Sequence, residues 1–125
     1  MKKIIETDRA PASVGPYSQA VEVSGILYIS GQVPLEPGTG RLVEGDIREQ
    51  TEQVMQNIRA ILGAAGYGFE DVVKSTCLLS TMDDFGAMNE VYAHYYSEKQ
   101  PARVAFAVKK LPLGALVEIE TIAMK

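Results

Sequence analysis

Cysteine and histidine are almost missing from this sequence, which contains one residue of each. The lone Cys77 has no partner for an internal disulfide, so the fold does not depend on an oxidising compartment. One cysteine and one histidine are too few for a zinc site built from these residue types. A Ser-His-Asp or Cys-His catalytic site would have to use His94. His94 lies off the apolar stripe of its predicted helix, so we expect a solvated surface histidine and no metal site.

Long apolar runs and basic clusters are also missing. No apolar run approaches the roughly 20 residues that cross a bilayer, and charge recurs early at the N-terminus, before a signal-peptide core develops. We therefore expect a cytoplasmic protein without a membrane partner. The formal net charge is −4 and the pI is near 5.0. Because phosphate backbones attract clustered Lys and Arg, and no cluster is longer than Lys109-Lys110, nucleic acid is not expected as a partner.

The composition that remains is typical of one globular domain. The chain has 125 residues, of which 46% are hydrophobic and 22% charged, with no internal repeat or linker. We expect a single domain over residues 1–125. The patterns predict strands at residues 3–6, 17–23, 26–30, 72–80, 102–108 and 117–124, and helices at residues 46–65 and about 83–97.

Helix signals are clearest in the first predicted helix. Asp46 can cap its start, Glu49 occupies the capping-box position, and Gly66 can end it. The glycines of residues 63–68 follow this helix rather than precede one, so they do not indicate a phosphate loop. The second helix carries an apolar side formed by Phe85, Met88, Val91, Tyr92 and Tyr95.

The element order predicts an α+β fold, a mixed sheet with both helices packed on one face. In the last strand, Val117, Ile119, Thr121 and Ala123 alternate with Glu118, Glu120, Ile122 and Met124. Neither side is built for bulk water, which indicates a subunit interface. Cys77 alternates in phase with Val73 and Leu79, so we expect a buried structural thiol.

Arg103 is a charged residue in an otherwise apolar strand. Its guanidinium group offers paired donors that match a carboxylate, so it is a candidate ligand-binding residue. The alternative is a structural ion pair with Glu118 or Glu120, which share one side of a strand that we expect to neighbour the Arg103 strand. A carboxylate beside a bound carboxylate would have a raised pKa and could exchange protons with water.

Tyr17 follows Gly15-Pro16, so a turn would deliver it to the mouth of a strand. Its hydroxyl group could orient a ligand. The alternative is that the side chain only packs.

Four motifs, in order along the chain, resemble the RidA family, also called YjgF or endoribonuclease L-PSP. They are Ala10-Pro11 with Gly15-Pro16-Tyr17-Ser18-Gln19-Ala20, Ser30-Gly31-Gln32, Asp84-Phe85 with Asn89 and Tyr92, and Pro101-Ala102-Arg103 through Leu111 followed by Val117-Glu118-Ile119. The resemblance covers essentially the whole chain.

The resemblance implies a fold similar to chorismate mutase and a homotrimer with three clefts between subunits. It implies hydrolysis of reactive enamine/imine intermediates, such as 2-aminoacrylate, to 2-keto acids and ammonia, without a metal or organic cofactor. Arg103 would bind the substrate carboxylate and Glu118 would position the attacking water. The cleft would be lined by Tyr17, Ser30, Gly31 and Asn89. Many members have cysteine where this chain has Ala105, whose backbone groups could still face a carboxylate.

Two other functions remain open from the sequence. The same trimer could be a non-catalytic binding module for small keto acids or amino acids, because an arginine clamp serves binding as well as turnover. A ribonuclease, the family's older description, fits poorly with the low pI and the position of His94.

Overall fold

Six strands and two helices make up the fold of the computed structural model, which describes all of residues 1–125. The strands are β1 (Lys3–Ile5), β2 (Ala20–Val23), β3 (Ile26–Gln32), β4 (Val72–Leu79), β5 (Ala102–Ala107) and β6 (Val117–Met124). The helices are α1 (Ile47–Ala64) and α2 (Phe85–Ala93), with single 3₁₀ turns at Phe69–Asp71, Met82–Asp84 and Pro112–Gly114. No helix combines the length and apolar character that crossing a membrane requires.

The strands form one mixed sheet in the order β1-β2-β3-β6-β4-β5. Only β4 and β5 run parallel, and α2 lies in the connection between them. Both helices pack on one face, where alternate residues of β6 are buried (Val117, Ile119, Thr121 and Ala123). The predicted α+β class, with two helices on one face of a mixed sheet, is confirmed.

Helix α1 forms as its capping signals predict. The Asp46 carboxylate accepts a hydrogen bond from the Arg48 N–H at 2.9 Å, while the Glu49 side chain accepts one from the Asp46 N–H. Its buried stripe includes Val54, Ile58, Ile61 and Leu62. Helical backbone stops at Ala65, and Gly66 follows with φ of 81°, a left-handed conformation that glycine adopts without a Cβ clash.

The second helix is shorter than predicted, because it ends at Ala93 rather than near residue 97. The chain then turns and buries Tyr96, whose ring centre lies 4.7 Å from that of Tyr92. Tyr95, predicted on the apolar side, is only half-buried and donates its hydroxyl hydrogen to Glu52. His94 is exposed, as predicted.

Strand β4 contains an irregularity that the alternation pattern did not reveal. The pairing with β6 shifts register between Val72 and Lys74, and Val73 is 43% exposed instead of in phase with Cys77. Beyond the irregularity the phase is regular, and Cys77 is a fully buried free thiol, as predicted. Burial raises the pKa of Cys77 to about 11, so the unreactive thiol form dominates.

The sheet face opposite the helices carries large apolar side chains in contact with solvent. Tyr28, Val104, Phe106 and Met124 are each between 42% and 48% exposed. The same face of β6 also holds Glu118 and Glu120, as the alternation predicted. Monomeric proteins rarely leave such a face uncovered, so its composition favours an interface.

Candidate functional site

Arg103 and Glu118, the two principal candidate residues, lie on opposite faces of the sheet. Arg103 is paired with Ser75, which is buried on the helix side, whereas Glu118 is paired with Leu78 on the open side. Strand β4 separates β5 from β6, a distance of about 10 Å at ordinary strand spacing.

This order corrects the expectation that the Arg103 strand neighbours the Glu118 strand. It also excludes the predicted alternative of an ion pair between Arg103 and Glu118 or Glu120 within one chain. The chain's one ion pair joins Arg48 and Glu90.

Arg103 is held by residues of α2. Its Nη1 donates to Oδ1 of Asn89 at 2.7 Å, and its Cζ lies 5.4 Å from the ring centre of Phe85 and 4.9 Å from that of Tyr92. The Arg103 side chain is nonetheless exposed. Its remaining N–H groups are available to a carboxylate, which is the bidentate ligand that a guanidinium group fits.

Ala105 lies two residues further along β5, on the same face as Arg103. It is half-buried and paired with Cys77 of β4. We call the group formed by Arg103, Asn89, Phe85, Tyr92 and Ala105 the arginine face.

On the other side of the sheet, a pocket of about 660 Å³ is lined by Tyr17, Ser30, Gly31, Glu118 and Glu120, among others. We call it the carboxylate pocket. Apolar side chains such as Val14 and Leu113 form part of its wall, and none of its lining residues is cationic. A concave site that combines apolar walls with converging polar side chains is typical of small-molecule binding.

The loop before β2 brings Tyr17 to this pocket. The predicted strand at residues 17–23 is shorter, because pairing starts at Ala20, and Tyr17 is 50% exposed. Its hydroxyl oxygen accepts a long hydrogen bond, 3.4 Å, from the Val14 N–H. The phenolic hydrogen therefore remains free to donate to a ligand.

Ser30 has its hydroxyl hydrogen committed to the fold. Its Oγ donates to the carbonyl of Ser18 at 2.6 Å, and its N–H donates to the carbonyl of Gln19 at 2.9 Å. These bonds fasten the loop before β2 to β3. Toward a ligand, Ser30 Oγ can only accept.

Gly31 is required by the position of Glu118. A Cβ atom at residue 31 would overlap the Glu118 carboxylate. The carboxylate therefore lies directly over the Gly31 backbone, and any side chain at this position would displace it.

The Glu118 carboxyl group is half-buried. Burial raises its pKa above the usual value, and the negative charge of Glu120 raises it further. Both effects disfavour the ionised form, so Glu118 holds its proton to a higher pH than an ordinary glutamate. A carboxyl group whose pKa is raised in this way is a candidate for exchanging protons with water.

The structure thus assembles the predicted residues in two groups. Tyr17, Ser30, Gly31 and Glu118 meet in the carboxylate pocket, whereas Arg103, Asn89 and Ala105 lie on the arginine face. Sequence reasoning assigned Phe85 and Tyr92 to the helix core and missed their contact with Arg103. The available signal was the spacing of residues 85, 89 and 92, which places all three on one side of a helix.

Comparisons with known proteins match this chain to one family over almost its full length. Residues 7–125 match the family model described as Endoribonuclease L-PSP. A RutC family protein of Pyrococcus horikoshii is 54% identical, and the match covers 100% of this chain and 99% of that protein. The 2-iminobutanoate/2-iminopropanoate deaminase of Mus musculus is 50% identical, with 100% and 93% covered. The crystal structure of RidA from a Psychrobacter species matches with a TM-score of 0.95 and 49% identity, covering 98% of this chain and 99% of that one.

Proposed function

This chain belongs to the endoribonuclease L-PSP (RidA) family, and from that premise we propose that it is a deaminase hydrolysing reactive imines and enamines of 2-amino acids to 2-keto acids and ammonia. The observation that carries the proposal is the pair of complementary groups on opposite sheet faces. The arginine face offers a carboxylate clamp. The carboxylate pocket offers a glutamate with a raised pKa.

The complete site would form between copies of the chain. One chain cannot bring Arg103 to Glu118, because they lie on opposite faces with β4 between their strands. Arg103 is on an edge strand and the open sheet face is apolar, so a second copy could cover that face and present its arginine to the pocket. We propose a homotrimer with three such clefts, the assembly that the family resemblance implied.

The chemistry requires the cleft to hold an imine and aim a water molecule. Arg103 would bind the substrate carboxylate and so convert a bimolecular encounter into an oriented one. Water would attack the protonated imine, and Glu118 would accept a proton from that water as the new C–O bond forms, which gives a carbinolamine. Glu118 would then return this proton to the carbinolamine nitrogen. As the C–N bond breaks, the hydroxyl group would pass its proton to the Glu118 carboxylate, which leaves the 2-keto acid and ammonia.

Other lining residues would orient the reactants. Tyr17 has a free phenolic hydrogen to donate, and Ser30 Oγ can accept a hydrogen bond from the imine nitrogen or from water. Water is the only co-reactant in this balance, so we assign no cofactor to the reaction.

The direct test generates imines in place with an amino-acid oxidase and follows their decay with and without the protein. We expect faster decay with the wild type. Arg103→Lys keeps the charge but loses the planar fork, so it should lose most of this acceleration while remaining folded. Equal decay with and without the wild-type protein would contradict the deaminase.

A non-catalytic binding module is the second candidate, because the arginine clamp would also hold an unreactive keto acid. Keto-acid binding without faster imine decay would select it. The ribonuclease description of the family finds less support in the geometry. Even with the one arginine that a second copy would bring, the two glutamates of the carboxylate pocket outnumber its cations, so a phosphate backbone would not be attracted.

A further inference from the structure

The guanidinium group of Arg103 lies against two aromatic rings as well as against Asn89. Its Cζ is within 5.4 Å of the Phe85 ring centre and 4.9 Å of the Tyr92 ring centre. Both distances are short enough for cation–π attraction, which operates within about 6 Å. The proposed function uses Arg103 and Asn89 and leaves the two rings without a role.

The positions of the two rings follow from the helix geometry. Residues 85, 89 and 92 are separated by four and then three positions, so all three side chains lie on one side of α2. The helix connects the parallel strands β4 and β5, which places this side over the Arg103 strand. The contact is therefore a property of the β4–α2–β5 unit.

One of the two rings is anchored in the core. Tyr92 is 6% exposed and packs on Tyr96, which in turn contacts Phe69 edge-on at 5.4 Å. Burial raises the pKa of Tyr92, so its ring stays a neutral phenol. The Arg103 side chain thus lies on a rigid aromatic surface, even though it is exposed to solvent.

We propose that Phe85 and Tyr92 are positioning residues that hold the guanidinium group of Arg103 in the orientation that receives the substrate carboxylate. An exposed arginine otherwise samples many rotamers, and ordering them on binding weakens affinity. The rings remove part of that cost before the ligand arrives. This inference depends on the proposed role of Arg103 in carboxylate binding.

The chain contains a matched control for this contact. Arg59 lies 5.7 Å from the ring centre of Phe69 and 5.2 Å from that of Tyr95, on neither the arginine face nor the carboxylate pocket. Tyr95 and Phe85 are both half-buried. The variant Tyr95→Leu therefore removes a ring from the same kind of contact without touching Arg103 or the rings that support it.

The experiment measures binding of 2-oxobutanoate and of its uncharged amide, 2-oxobutanamide, by NMR titration. We expect Phe85→Leu to weaken 2-oxobutanoate binding by about two- to fivefold, the factor for one cation–π contact at an exposed site. The amide should be unaffected, because it does not use the charge of Arg103. Phe85→Tyr keeps the ring and should restore the affinity, and Tyr95→Leu should leave the affinity for both ligands unchanged.

The effect should also vanish when Phe85→Leu is combined with Arg103→Ala, since the ring acts only through the arginine. Equal weakening of both ligands, or an undiminished effect in the Arg103→Ala background, would overturn the inference in favour of a purely structural role. Wild-type protein that binds 2-oxobutanoate no better than the amide would instead remove the proposed function itself.

Discussion

Replacing Glu118 by glutamine separates the catalytic hypothesis from simple binding. The amide has nearly the same shape, so it still fits over Gly31, but it cannot accept a proton from water. We expect turnover of the oxidase-generated imine to fall by about a hundredfold or more, the usual loss when a general base is removed.

Binding of an unreactive keto acid should respond in the opposite direction. The Glu118 carboxylate and the carboxylate of a bound keto acid are like charges. At a separation of about 8 Å they would repel by about 2 kcal/mol at an effective dielectric constant of 20, and solvent around the half-exposed Glu118 reduces this repulsion to about 1 kcal/mol. Removing that charge should therefore strengthen 2-oxobutanoate binding by up to about fivefold. Calorimetry on the same preparation measures this change.

The pH dependence of turnover supplies a further readout on Glu118. Burial raises the pKa of Glu118, so the acidic limb of kcat/KM should lie at a higher pH than for an ordinary glutamate, because activity requires the ionised base. Glu120→Gln removes a cause of the raised pKa, so the limb should move to lower pH, while turnover near neutral pH stays largely intact. Glu120 is thus the control on the same strand face.

Two outcomes would refute this reasoning. Equal losses of binding and turnover in Glu118→Gln would mean that Glu118 holds the pocket together rather than acting on water. Unchanged turnover would mean that backbone groups or Tyr17 position the water.

The remaining predictions concern the assembly and Gly31 of the carboxylate pocket. Light scattering on a sizing column should give about three times the 13.6 kDa chain mass, because the apolar open face requires cover; a monomer at micromolar concentration would contradict the shared cleft. Gly31→Ala should displace the Glu118 carboxylate and lower turnover about as much as Glu118→Gln does. Imine-decay kinetics measures this loss, and wild-type turnover in Gly31→Ala would show that the position of Glu118 is unimportant.

Local features of the fold were predictable because short-range physics determines them. The capping box at Asp46 and the stop at Gly66 involve only neighbouring residues, and both were predicted. Alternation along β6 correctly placed Glu118 on the side opposite the buried residues.

Strand order was not predictable in the same way. Alternation tells which side of its own strand a residue occupies, but it does not tell which strand lies next to it. Here the β4–α2–β5 crossover pairs the Arg103 strand with one edge of β4, and the Glu118 strand pairs with the other edge. Strand β4 therefore lies between them. The expected proximity of Arg103 and Glu118 was wrong for this reason.

Much of the candidate site came from the family resemblance rather than from pattern. Ser30, Gly31 and Asn89 have no periodicity or spacing that marks them as ligand-binding residues. Tyr17 and Arg103 were marked by a physical signal in the sequence. Tyr17 follows a turn that precedes a strand, and Arg103 is a charged residue within an apolar strand. The contact of Phe85 with Arg103 required the three-dimensional arrangement of α2 and β5.

The opposite-face placement of Arg103 and Glu118 leads to a last prediction, that two inactive variants complement each other. If each cleft takes Arg103 from one copy and Glu118 from another, co-expressed Arg103→Ala and Glu118→Gln chains would form mixed trimers. In a mixed trimer of either composition, one of the three clefts takes an intact Arg103 from one copy and an intact Glu118 from the next, which gives about a third of wild-type turnover. Differently tagged chains allow the mixed trimers to be purified and assayed for imine decay. Mixed trimers as inactive as either parent would mean that the two residues do not act across an interface between copies.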